Sequence, residues 1–275
     1  MNHDLTLAFV GAGNMAGALI RGLIATSTIS PARIVAADPD PARRELLASE
    51  LSIRVEADNS AALENANVVV LSIKPQMFGQ VLPTLAVSLP QDALVISIAA
   101  GISSKVIERS LPEGTRVIRT MPNTPALVGA GATAIAAGTH ATEDDLVLAQ
   151  TLFECVGTVV RVPETQIDAV TALSGSGPAY VFAMIEALRE GGRREGLSEE
   201  TALQLAAQTV RGAAQLLLDG DESPEALRQK VSSPGGTTLA GLQALDDNGF
   251  REALHGAVRA AARRSAELGK IAEGD

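Results

Sequence analysis

Residues 5–16 read LTLAFVGAGNMA, an apolar run, Leu5–Val10, that breaks into a glycine loop and passes directly into the helical pattern Gly17–Ala25. Gly11, Gly13 and Ala16 fit G-x-G-x-x-G/A, the strand–turn–helix arrangement of a dinucleotide site. Each small residue has its own task. Gly11 permits the tight turn, Gly13 lets the backbone approach a pyrophosphate, and Ala16 lets the helix pack closely on the strand. The N–H groups of Asn14 and Met15 then face the phosphates at the positive end of the helix dipole.

Further apolar runs follow at Arg33–Ala37, Ile53–Val55, Asn67–Ile73, Ala93–Ile98, Arg116–Arg119, Thr133–Ala136 and Gly157–Val162, with a helical segment at Leu46–Leu51. The β-branched runs NVVVLSI and ALVISI are of the kind buried on both faces of a parallel sheet. Strands separated by helical stretches imply right-handed βαβ crossovers and a doubly wound α/β sheet of the Rossmann type. After Pro163 the strand signal ends. Asp168–Glu195, Glu199–Leu218, Pro224–Lys230, Thr237–Asp246 and Phe250–Leu268 read as helices. The expected division is therefore a nucleotide-binding domain over 1–163 and an all-helical domain over 164–275.

Composition bounds the partners. Of the 275 residues, 46% are apolar and 20% charged, with five Phe, one Tyr and no Trp, so the cores are filled by Ala, Leu, Val and Ile. The formal charge is −10, with 15 acidic against 11 basic residues in 1–163 and 17 against 11 in 164–275. Both halves repel polyanions, which argues against nucleic acid or an anionic membrane as partner. Cys155 is the single cysteine, so disulfides within the chain and cysteine-rich metal sites are excluded, and no metal is expected. The opening MNHDLTLAFVGAGN has no basic flank and enters a strand at once, unlike a signal peptide. No apolar run reaches the roughly 18 residues needed to span a bilayer. A cytoplasmic protein is the economical expectation.

Ligands of open α/β sheets bind outside the carboxyl ends of the strands. Asp38 ends the second run, where an acid usually takes the ribose hydroxyls of NAD; the segment Asp38-Pro39-Asp40-Pro41 is equally good helix-capping chemistry. Arg43 and Arg44 lie about one turn further, placed either to meet a 2′-phosphate or to be solvated, so NADH and NADPH both stay open. Ser72-Ile73-Lys74-Pro75 and Ile98-Ala99-Ala100 follow two more strand ends. Lys74 reads as part of a loop whose backbone lines the cofactor, with proton donation the alternative.

The second half limits the chemistry. Hydride transfer to a ketone leaves an alkoxide and calls for a proton relay, typically His or Lys. The chain has only Lys74, Lys105, Lys230 and Lys270, and only His3, His140 and His255; Asp168–Glu195 contains neither type. A C=N substrate arrives protonated and leaves as a neutral amine, so it needs little beyond cofactor, positioning and one hydrogen-bonding group. The stretch 231–242, VSSPGGTTLAGL, offers that positioning. A Pro-Gly-Gly turn before a helix start points several N–H groups toward one spot, which suits a carboxylate, and Thr237 or Thr238 adds a hydroxyl for a ring nitrogen. The plainer alternative is a helix–helix corner capped by Thr237. A second cluster, Leu173-Ser174-Gly175-Ser176-Gly177-Pro178-Ala179-Tyr180, places Gly and Pro where they cost a helix roughly 1 and 3 kcal/mol. Close packing, a kink or a ligand must offset this. An imine reductase is the leading reading. A β-hydroxy-acid dehydrogenase and a non-catalytic nucleotide sensor are the competitors.

Together, GAGNMA (11–16), SIKPQ (72–76), SIAAG (97–101), MPNTPALVGAGA (121–132), IDAVTALSGSGPAY (167–180) and VSSPGGTT (231–238) resemble the pyrroline-5-carboxylate reductases, in order and over nearly the whole chain. The resemblance implies reduction of 1-pyrroline-5-carboxylate to L-proline by NADPH or NADH, the last step of proline biosynthesis. It also implies a helical domain that interlocks with a second subunit, as a homodimer or a decamer of five dimers. Carried over residue by residue, it assigns cofactor contacts to Gly11, Ala12, Gly13, Asn14, Met15, Asn59, Ser72, Ile73, Lys74, Pro75, Ile98, Ala99 and Ala100. Asp38 joins them from its place at the strand end. Substrate contacts fall to Glu164, Ser233, Gly235, Gly236, Thr237 and Thr238, with Thr238 facing the ring nitrogen as the catalytic group. Asp38 stands where several members of that family carry a small residue, and Lys230 where some carry an Asn at the cofactor.

Overall fold

The computed structural model describes residues 5–273. Met1–Asp4, with His3 and the first residues of the segment weighed as a leader, lie outside the described residues. Eight strands, β1 (Leu7–Val10), β2 (Ile34–Ala37), β3 (Arg54–Glu56), β4 (Val68–Leu71), β5 (Leu94–Ser97), β6 (Arg116–Met121), β7 (Gly131–Ala137) and β8 (Gly157–Arg161), form one sheet. Their order is β3-β2-β1-β4-β5-β6-β7-β8, with the chain reversing direction across the sheet between β3 and β4. The intervening helices are α1 (Asn14–Ala25), α2 (Pro41–Leu51), α3 (Asn59–Leu63), α4 (Phe78–Ser88), α5 (Ser104–Ser110) and α6 (Glu143–Glu154).

Alternation along each strand feeds two cores. Leu7 and Phe9 join Leu19, Ile20 and Leu23 of α1 and Leu152 and Phe153 of α6. Ala8 and Val10 point the other way, into the cluster with Leu63 of α3 and Leu82 and Leu85 of α4. Helices cover both faces, so β1, β2, β4 and β5 are buried throughout, which is why their sequences are apolar without alternation. Each large side chain buried this way contributes about 1.5–3 kcal/mol.

The regular parallel winding stops after β6. β7 runs antiparallel to β6, whereas β8 returns parallel to β7 across α6. The cause is the length of the connection: Pro122–Ala130 holds a short 3-10 turn, Thr124–Val128, ending at Gly129 with φ +72°. A parallel crossover needs about a dozen residues or more.

The helix expected over Asp168–Glu195 is divided. A single α-turn, α7 (Ile167–Val170), runs into a π-turn at Thr171–Gly175, where the Ser176 N–H donates to the Thr171 carbonyl at 2.8 Å. Helix α8 (Gly177–Arg194) follows. Two contacts explain the break. Pro178 has no N–H for the Ser174 carbonyl four residues back, and Asn123 Nδ2 donates to that carbonyl instead at 3.0 Å. A Cβ on Gly175 would stand 2.5 Å from Met121 Cε, so the small residue lets the end of β6 close in. Close packing is therefore what offsets the cost of glycine at 175.

The chain forms two compact units, one running to Ser176 and resuming at Ala260, the other spanning Gly177–Arg259. This division differs from the one expected at Pro163 for a physical reason. Ile167 and Val170 pack with Ala134 and Ala136 of β7. Ser265 donates to Asp168 Oδ1 at 2.6 Å, holding the end of the last helix to the first unit. The second unit contains α8, α9 (Glu199–Leu218), α10 (Pro224–Lys230), α11 (Thr237–Asp247) and the start of α12 (Phe250–Glu273). Among its described residues only Ala202 and Ala206 are buried apolar side chains, while Phe182, Leu205, Leu216 and Leu218 are more than half exposed. A unit with so little buried surface of its own needs a partner to be stable.

Candidate functional site

A cleft of about 550 Å³ opens at the carboxyl ends of β1, β2 and β4. It gathers Gly11, Gly13, Asn14, Asp38, Asn59, Ser72, Ile73 and Lys74, all expected from the sequence, although they are spread over more than sixty residues of chain. Gly11 has φ +97°, and a Cβ there would lie 2.7 Å from the Ser72 carbonyl oxygen, so no other residue fits. Ser72 locks the approach by donating its hydroxyl to the Gly11 carbonyl at 2.6 Å. Gly13, the residue before α1, differs: a Cβ on it would meet nothing within 4 Å. Its smallness leaves space on the cleft side, as close approach of a ligand requires. No side chain caps α1, so its first amides remain available to an anion.

Asp38 is not the cap of α2. That role belongs to Asp40, which accepts from the Ala42 N–H at 2.9 Å, with Pro41 in the first helical position. Asp38 is buried at 6% exposure and accepts the Ala12 N–H at 2.9 Å through Oδ2 and the Asp40 N–H at 3.0 Å through Oδ1. Ala12 thus serves the loop through its backbone, and Met15 packs against the core. Arg43 lies 3.6 Å from both Asp38 and Asp40, and Arg44 donates to the Asp38 carbonyl at 2.6 Å.

Asn59 opens α3 beside its cap Asp58. Lys74 lines the cleft and precedes the 3-10 turn Pro75–Met77, whose Pro75 is not among the lining residues. Ile98 donates its N–H to the Leu71 carbonyl at 3.2 Å, which sets Ile98-Ala99-Ala100 beside the end of β4. Sequence reasoning missed Ala57, Asp58, Met77 and Val81 as cleft lining. Of these, Asp58 alone carried a signal, as a capping acid ahead of a short helix.

Glu164 lies in the first unit. Its Oε1 accepts the Ser104 N–H at 2.7 Å and Arg119 Nη1 at 3.2 Å, and its Oε2 accepts the Ser104 hydroxyl. Arg119 is 6% exposed, and its Nε has no hydrogen-bond partner among the described residues. Neither Ser104 nor Arg119 was singled out from the sequence, since their meeting depends on the β5–β6 pairing.

The remaining predicted residues cluster in the second unit. Gly235 has φ +72°, the Gly236 N–H donates to the Ser233 carbonyl at 3.0 Å, and Gly236 is the residue before α11. Thr237 is therefore inside the helix and is not its cap. A Cβ on Gly236 would collide with Ser233 Oγ at 2.5 Å. No side chain caps α11, and among the described residues the Thr237 and Thr238 hydroxyls find no partner. Lys230 is paired with Glu222 at 2.6 Å.

Two family models match the chain: "Pyrroline-5-carboxylate reductase dimerisation" over residues 164–268 and "NADP oxidoreductase coenzyme F420-dependent" over residues 6–101. A pyrroline-5-carboxylate reductase of Synechocystis sp. is 48% identical over 97% of this chain and 99% of its own. The solved structure of a pyrroline-5-carboxylate reductase from Coxiella burnetii superposes with a TM-score of 0.92 at 39% identity, covering 96% of this chain and 98% of that one. The Plasmodium falciparum pyrroline carboxylate reductase with NADP bound superposes with a TM-score of 0.86 at 29% identity, covering 96% and 98%. With a glycine-loop cleft and an uncapped α11 in place, and with relatives matched along nearly their full length, the chain belongs to the pyrroline-5-carboxylate reductase family.

Proposed function

We infer that the chain reduces 1-pyrroline-5-carboxylate to L-proline, the last step of proline biosynthesis, with NADH or NADPH as reductant. The feature of this chain that carries the reading is the start of α11, where the turn at Gly235 leads into a helix whose first amides no side chain caps, beside two threonine hydroxyls without a partner among the described residues. That is donor chemistry for one carboxylate and one ring nitrogen.

The division of labour follows the chemistry. Residues of the 1–163 segment hold the dinucleotide: the α1 amides and Gly13 take the pyrophosphate, and Asp38, Asn59 and the 72–75 and 98–100 loops frame the rest. When bound, the reduced nicotinamide supplies a hydride to the imine carbon. Residues of the 164–275 segment orient the imino acid: Ser233, Gly235, Gly236 and Thr237 receive the carboxylate, and the Thr238 hydroxyl holds the nitrogen. Glu164, clamped by Ser104 and Arg119, is the further substrate contact that the family resemblance implies. The protonated imine becomes a neutral amine, which water protonates, so no Lys or His relay is needed.

The exposed Leu and Phe side chains of the second unit are covered by a second copy, giving a homodimer, with a decamer of five dimers as the larger assembly. Among the described residues no helix is long and apolar enough to cross a membrane. The small, charged substrate and its reductant fit an enzyme of the cytoplasm. Purified protein is expected to oxidise NADH or NADPH only when pyrroline-5-carboxylate is added, forming one L-proline for each coenzyme oxidised. Turnover of hydroxy acids, or coenzyme binding without oxidation, overturns the reading. Light scattering at micromolar concentration is expected to give a dimer or larger, and a monomer refutes the assembly.

A further inference from the structure

We propose that Asp38 makes this enzyme selective for NADH over NADPH. This rests on the reading of the glycine-loop cleft as the dinucleotide site.

The observations are local. Asp38 ends β2, lines the cleft, and is fixed on both oxygens by backbone amides of Ala12 and Asp40. Each carboxylate oxygen has two lone pairs and spends one on an amide. One acceptor per oxygen remains, which matches the 2′ and 3′ hydroxyls of an adenosine ribose docked beside the glycine loop. Because Ala12 belongs to that loop, the same carboxylate sets its distance from the pyrophosphate site.

A 2′-phosphate carries about −1.5 to −2 charges at pH 7, like other phosphate monoesters. It would enter against a carboxylate that cannot turn away without breaking two backbone hydrogen bonds. Asp40 and Asp58 add negative charge at the same corner. Arg43 stands 3.6 Å from Asp38 and from Asp40, so its charge is shared by two acids. Arg44 gives one N–H to the Asp38 carbonyl. A relative binds NADP; the residues at this corner argue the other way for this chain.

Direct titration of the purified enzyme with NADH and with NADPH, followed by coenzyme fluorescence and calorimetry without substrate, tests the proposal. The absence of Trp leaves the nicotinamide signal clean. The wild type is expected to bind NADH at least about tenfold more tightly than NADPH, since like-charge juxtaposition at an interface is worth a decade or more. Asp38→Asn keeps the shape, removes the charge and gives up one of the two backbone hydrogen bonds, and should cut that ratio by about tenfold or more. Asp38→Ser, with room for a phosphate, should cut it further. Arg43→Ala should leave NADH affinity within about twofold, because an exposed arginine that is already paired contributes little. A wild type that prefers NADPH, or an Asp38→Asn variant with an unchanged ratio, overturns the proposal while leaving the cofactor site intact. Failure of the wild type to bind either coenzyme overturns the cofactor reading itself. Thermal melting of each variant without coenzyme separates loosening of the glycine loop from a change in selectivity: a lower Tm with an unchanged ratio counts against the proposal.

Discussion

Replacing Asn123 with Ala removes a side chain that serves two backbone groups at once. Its Nδ2 supplies the donor that Pro178 cannot give to the Ser174 carbonyl, at 3.0 Å, and its Oδ1 accepts the Ala132 N–H at the start of β7, at 2.8 Å. Asn123 is 9% exposed, so water does not readily replace it. A buried group left without its partner costs about 1–3 kcal/mol. Ala132 is itself exposed, and solvent recovers part of the loss at its N–H. About 2–3 kcal/mol for the pair is the reasonable sum on that scale. In a chain of this size 1 kcal/mol moves Tm by about 2–4 °C, so the melting temperature should fall by about 4–12 °C. Circular dichroism or calorimetry at one fixed protein concentration reads it, since association also moves Tm. Asn123→Asp retains the acceptor for Ala132 but turns a charged oxygen toward the Ser174 carbonyl, and should melt no higher than Asn123→Ala. If both variants melt within about 1 °C of wild type, the bridging role assigned to Asn123 is wrong.

Other expectations follow from single positions. Gly157 has φ +147°, and a Cβ there would lie 2.0 Å from the Gly131 carbonyl, so Gly157→Ala should cost about 2–4 kcal/mol by forcing β7 and β8 apart; an unchanged unfolding midpoint contradicts this. Thr238→Ala should lower kcat by about ten- to a thousandfold with melting unchanged, as loss of one transition-state hydrogen bond can, and unaltered kinetics remove Thr238 from the mechanism. Burial pushes the Cys155 thiol up to about 11 from 9.0. At pH 8 its thiolate fraction is then about a thousandth, against about a tenth for a thiol at 9.0, so iodoacetamide should modify it about two orders of magnitude more slowly than such a thiol. The folded-state pKa is the higher one, so this contribution to stability is fully present below about pH 9 and is lost as pH rises toward 11. Melting that improves across that window would contradict the assignment.

Much was fixed by local pattern. The eight strands, the α1 turn and the glycine requirement at Gly11 follow from residues within a dozen positions of one another, because strand burial and a tight turn are set by near neighbours. The motif blocks at 167–180 and 231–238 likewise carried the family resemblance in their order alone. What the tertiary structure decided involves partners far apart in the chain. The reversal at β7 came from a connection too short for a crossover, and the π-turn at Thr171–Gly175 from Asn123 and Met121, about fifty residues upstream. Glu164 meets Ser104 and Arg119 only once β5 and β6 are paired. Whether Asp38 capped α2 or faced the glycine loop was undecidable from Asp-Pro-Asp-Pro, since both aspartates suit a cap. The choice fell to Asp40 because β2 pairs with β1 in a register that sets Asp38 beside the Ala12 amide. Hydrogen-bond geometry of that kind is a property of the packed sheet, and no stretch of sequence contains both halves of it.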